Sequence, residues 1–64
     1  MQITLEPENR IMEINRVSSA MGLLNRLGLK PFQALVIRDN RLLTPDSRLN
    51  PEDNLIVRKV VSRG

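Results

Sequence analysis

A chain of 64 residues with neither cysteine nor histidine must hold itself together with a single apolar core. Domains this small bury a modest share of their surface, and the usual supplements, disulfides and structural zinc, draw on those two residues. Ordering the chain costs about 1.5 kcal/mol per residue, so nearly every large aliphatic side chain has to be buried. At 41% hydrophobic and 27% charged, the composition is that of a globular domain rather than a disordered one. The longest uninterrupted apolar run is Ala34-Leu35-Val36-Ile37, well short of the roughly 20 residues a membrane span requires. The opening MQITLEPE lacks a basic region followed by an apolar run, so it does not read as a signal peptide, and a cytoplasmic location is expected.

The apolar period changes along the chain, and the changes mark the elements. Ile3 and Leu5 alternate with Gln2, Thr4 and Glu6, as in a strand with one buried face. Pro7-Glu8-Asn9 is a turn signal, and Arg10 to Asn15 reads as a returning strand with Met12 and Ile14 inward. Ala20, Leu23, Leu24 and Leu27 then fall at helical spacing. Ser18 or Ser19 supplies the N-cap, Gly28 the left-handed closing residue, and Leu29 the fold-back contact. Gly22 is expected to allow close approach of the helix to the sheet. Gln33 to Arg38 is apolar on both faces and reads as a central strand. Asp39-Asn40 turns it into the short strand Arg41 to Leu43. Leu49 is an isolated apolar anchor, and Leu55 to Val61 is the last strand, with Leu55 and Val57 on one face and Ile56 and Arg58 on the other. The expected fold class is α+β, a mixed four- to five-stranded sheet packed against one helix around one core.

Several chemistries are excluded or disfavoured. The net charge of +3 is spread over scattered Arg and Lys, and Phe32 is the only aromatic, so base-stacking platforms are missing and nucleic acid is a disfavoured partner. Glu6 with Glu8, or Asp39 with Asp46 and Asp53, match neither a calcium loop nor a catalytic carboxylate pair. They stand at turns, where acids are expected, so no metal site and no catalytic residue is assigned.

The runs LLNRLGLKP (23–31), ALVIRDNRLL (34–43) and NPEDNLIVRKVVSRG (50–64) resemble the ThiS/MoaD family of small sulfur carriers, which are similar in fold to ubiquitin. The resemblance covers essentially the whole chain. Its most specific parts are Leu23-Leu24 through Gly28-Leu29 and Pro31, and the tail Val60-Val61-Ser62. It implies a ubiquitin-like β-grasp domain over residues 1–61 and a flexible C-terminal tail over 62–64. It also implies a role as carrier rather than enzyme: a ubiquitin-activating-type enzyme adenylates the terminal carboxylate with MgATP, and a persulfide converts it to a thiocarboxylate. A synthase of cofactor biosynthesis then accepts the sulfur, in thiamine-type synthesis before molybdopterin-type. Carried onto this chain, the reacting carboxylate is that of Gly64, with Ser62 and Arg63 as the tail leading to it. No cofactor is bound by the carrier itself, which is expected to be a monomer when free.

The tail departs from the family at one position. Family members end Val-Val-Ser-Gly-Gly or a close variant, whereas Arg63 stands where the penultimate Gly is usual. Arg63 brings a permanently charged side chain into the narrowest part of the partner's channel, or meets phosphate or a carboxylate in a dedicated partner, or marks a carrier that has lost its activity. Two further readings stay open: a non-conjugating ubiquitin-like interaction module, and a ubiquitin-like protein modifier. Both need a docking surface. With Leu55 and Val57 under the helix, Ile56 lies on the open sheet face, joined by Ile37 or Leu35 and by Ile11, and rimmed by Arg38, Arg41 and Arg58. Scattered surface aliphatics are the alternative, because a one-residue register slip reverses the faces.

Overall fold

Both hairpins turn on residues that tolerate left-handed backbone. In the computed structural model, which describes residues 1–60, β1 (Gln2–Glu6) and β2 (Arg10–Glu13) pair antiparallel around a turn with Asn9 at φ 57°. β3 (Ala34–Arg38) and β4 (Arg41–Leu43) pair around Asp39 (φ 53°) and Asn40 (φ 63°). Two consecutive positive φ values make this a type I′ turn, whose twist matches that of the strands it joins. β5 (Asn54–Lys59) then inserts between the hairpins, parallel to β1 and antiparallel to β3, giving the order β2-β1-β5-β3-β4. The protein is thus α+β, one helix and a five-stranded mixed sheet, an arrangement consistent with a β-grasp-like fold. The middle strand is β5. β3, expected there from its two apolar faces, is interior but off centre.

One sheet face carries Ile3, Leu5, Ala34, Val36, Leu55 and Val57, all buried, and α1 (Ala20–Arg26) covers it with Ala20, Leu23 and Leu24. Leu49 is the anchor its isolation in the sequence implies, 7% exposed. β2 stops at Glu13 rather than Asn15. Ile14 leaves the ladder, donates its N–H to the Met1 carbonyl at 3.0 Å and still buries its side chain. β5 ends at Lys59, while Val61 and the tail 62–64 lie outside the described residues.

The helix has only seven residues, so its unpaired end groups weigh heavily. Ser19 is the N-cap, its Oγ accepting from the Gly22 N–H at 3.1 Å. Ala20 and Met21 donate to the Ser47 and Pro45 carbonyls at 3.0 and 2.8 Å, which pins segment 44–49 across the helix start. Gly22 serves that cap rather than an approach to the sheet: a Cβ there would meet Ser19 Oγ at 3.3 Å. At the other end, Gly28 (φ 75°) donates to Asn25 and Leu29 donates to Leu24, the paired bonds of a Schellman closure. Leu29 packs against the core as that motif requires. A methyl added at Gly28 would meet nothing within 4 Å, so Gly28→Ala carries only the left-handed backbone penalty. It should cost about 1–2 kcal/mol, read as a lower urea midpoint with an unchanged m-value.

Candidate partner-docking site

The pairings that bury one face of the sheet align the other. Ile11 lies opposite Thr4, Thr4 opposite Ile56, Ile56 opposite Ile37, and Ile37 opposite Leu42, a row crossing all five strands on the face away from the helix. Ile37 and Ile56 are half-buried in the middle of the row, whereas Ile11 (65% exposed) and Leu42 (63%) stand out at its ends. Leu35, two residues from Ile37, shares the face and lies opposite Arg58. Both Leu35 and Ile37 therefore join Ile56, which alternation within β3 requires once either does.

The charges around this row differ from expectation. Arg58 is on the open face, where its Nε donates to Glu6 Oε1 at 2.9 Å, so the pair neutralises itself. Arg38 and Arg41 are not part of the rim. They alternate in phase with Val36 and Leu43, the residues that face the helix, and Arg38 reaches the Arg48 carbonyl (3.0 Å) and Asp53 Oδ2 (2.8 Å). The site is thus an apolar row with one neutralised ion pair, not an apolar patch ringed by arginines.

Leu42 was not among the residues expected here. Its signal lay in the Asp39-Asn40 turn, whose two-residue length fixes Leu42 opposite Ile37. Phe32 (78% exposed) and Val60 (49%) are also outside the expected set. They are adjacent through the ladder: Val60 donates to the Gln33 carbonyl at 2.9 Å, next to Phe32 and at the Leu35 end of β3. The expected reactive tail, Ser62, Arg63 and Gly64, lies outside the described residues.

The acids at turns are structural. Asp53 Oδ2 accepts from the Asn50 N–H at 2.8 Å, and this bond, with help from Arg38, holds the carboxyl below the usual aspartate range against the opposing effect of burial. Lys59 lowers Glu8 through a 2.7 Å hydrogen bond, and the Thr44 hydroxyl, donating at 2.6 Å, lowers Asp46. A carboxyl whose native pKa is depressed stabilises the fold above its unfolded value, and that contribution is lost as pH falls through the native value. Stability should therefore hold above about pH 4, the ordinary aspartate value, and fall progressively below it. Asp53→Ala should cost about 1–3 kcal/mol at neutral pH and flatten that acid limb, as read in denaturant titrations at several pH values.

Among the described residues no helix is long and apolar enough to cross a membrane, and no group of three or more acidic side chains is arranged to hold a metal ion. No protein-family model matches the chain, and no curated protein matches it.

Proposed function

We propose that this chain is a ubiquitin-like β-grasp protein of the ThiS/MoaD sulfur-carrier type, acting through the carboxylate of Gly64. The observation that best supports the reading is topological. The last described strand runs up the middle of the sheet parallel to the first, and Val60, four residues beyond Ile56 along the chain, is tied to Gln33. A partner seated on Ile56, Ile37 and Leu42 that also extends four residues along β5 would cover the point where the chain reaches position 60.

In this reading a ubiquitin-activating-type enzyme docks on the row and takes the tail into its own active site. The Gly64 carboxylate attacks the α-phosphate of MgATP and pyrophosphate leaves, giving an acyl-adenylate. A persulfide sulfur then displaces AMP, and reduction of the resulting acyl disulfide by a thiol leaves a thiocarboxylate. A synthase accepts that sulfur, in thiamine-type cofactor synthesis before molybdopterin-type. The chain works as a cytoplasmic monomer without a cofactor, and the catalytic groups are the partner's. Glycine suits the terminal position because it lets the backbone approach closely in a narrow channel.

One residue favours a second reading. Arg63 in place of the usual Gly fits a non-conjugating interaction module that uses the same row and never enters a channel. A protein modifier needs the same activation as a carrier and falls with it. ATP–pyrophosphate exchange with activating enzymes from the protein's own cells separates the classes: a carrier or modifier supports exchange, and an interaction module supports none.

A further inference from the structure

The turn that leads from the helix into β3 is closed from both ends. Gln33 donates its N–H to the Lys30 carbonyl at 2.9 Å, and the Gln33 Oε1 accepts from the Lys30 N–H at 3.0 Å. Pro31, whose ring fixes φ, occupies the position of this four-residue turn that favours it, so little backbone freedom is left. The side chain presented there is Phe32, the chain's one aromatic. It is 78% exposed, more than any other large apolar side chain among the described residues, and it is not packed against the core. On the neighbouring strand Val60 is 49% exposed, and its bond to the Gln33 carbonyl extends the β3–β5 ladder one step past Ala34 and Lys59. Alternation from Ile56 and Arg58 places Val60 on the open face of the sheet. Lys30 is exposed and has no ion pair among the described residues, whereas Arg58 and Lys59 are paired with Glu6 and Glu8.

We propose that Phe32, with Val60 beside it, is the anchor by which the adenylating partner holds the chain next to its tail, the ring entering an apolar pocket that has a carboxylate at its rim. This role rests on the carrier reading, and it names a contact that the Ile56–Ile37–Leu42 row does not include. A ring fixed on a closed turn loses little freedom on binding, and a few such buried anchors supply most of the energy of an interface. The unpaired ammonium of Lys30, next to Pro31 in that turn, favours an acidic rim. Position sets the consequence for the reaction. Gly64 follows Val60 by four residues, and four residues of chain span at most about 14 Å. A partner that grips Phe32 and Val60 therefore confines the Gly64 carboxylate to a small volume around its own active site, which is a positioning role.

The test is ATP–pyrophosphate exchange by the purified activating enzyme of the protein's own cells, with the full chain as the varied substrate. Phe32→Ala should raise KM for the chain about tenfold or more and change kcat by less than about twofold, the pattern of a contact made equally before and during the reaction. Phe32→Leu, which keeps an apolar side chain, should recover most of that loss. Lys30→Glu should also raise KM, by a larger factor at low salt than at high salt. The urea midpoint of Phe32→Ala should equal the parent's, because the ring lies outside the core. A parental KM for Phe32→Ala, a loss confined to kcat, a Phe32→Leu no better than Phe32→Ala, or a lowered midpoint would each overturn the anchor while leaving the carrier reading in place. No exchange by the parent chain would instead remove the carrier reading and the anchor with it.

Discussion

Leu23→Ala should leave a large fraction of the protein unfolded at 25 °C. Leu23 is fully buried, in the same core cluster as Ile3, Leu55 and Val57. Removing so much of a core side chain costs about 2–5 kcal/mol, the lost transfer energy plus that of the cavity left behind. At about 0.05–0.15 kcal/mol per residue, a domain of this length has little stability to lose. The sequence has no cysteine, so no disulfide offsets the change. Leu24→Ala should act similarly, and Leu27→Ala less, because Leu27 is only half-buried. With no Trp or Tyr to report, far-UV circular dichroism in urea is the suitable measurement. A Leu23→Ala midpoint within error of the parent would contradict the assignment of this side chain to the centre of the core.

The second large effect concerns the tail. Deleting Gly64 should abolish ATP–pyrophosphate exchange and leave the urea midpoint unchanged, since the described core lies within residues 1–57. Arg63→Gly then reports on the departure from the family tail. If Arg63 obstructs a channel built for glycine, the substitution raises exchange. If its guanidinium meets phosphate or carboxylate in a dedicated partner, exchange falls by an amount corresponding to about 1.5–3 kcal/mol, the worth of a charge-assisted hydrogen bond. Exchange that persists without Gly64 would remove the carrier reading, because no carboxylate would remain at that position to be adenylated.

Local signals in the sequence carried most of the fold. Period-2 alternation at Ile3 and Leu5, helical spacing at Leu23 and Leu24, the Ser19 cap and the Gly28–Leu29 closure each depend on neighbours a few residues away. They were legible for that reason. The position of β5 between β1 and β3 depends on pairing across some fifty residues, and no local pattern encodes it. The turn-rich stretch 44–49 looked irregular because its backbone serves the helix start rather than a strand, a role visible only once Ser47 and Pro45 are seen accepting from Ala20 and Met21.

The candidate site divides the same way. Placing Ile56, Ile37 and Ile11 on one face followed from alternation, given that Leu55 and Val57 face inward. The arginine rim did not follow. Whether Arg38 borders the open face or turns to Asp53 is decided by its phase with Val36, and Asp53 is fifteen residues away. Leu42 joins this face only through its pairing with Ile37, a cross-strand consequence of the two-residue turn that alternation within Arg41–Leu43 does not carry.

The central claim is that Gly64 carries sulfur, and the intact mass of the protein purified from its own cells tests it most directly. The account predicts a fraction of molecules heavier by the difference between sulfur and oxygen, with the added mass on the C-terminal fragment and an alkylating agent adding its own group to the sulfur at Gly64. A single species carrying an unmodified Gly64 carboxylate, under conditions where the cofactor pathway is active, would contradict it.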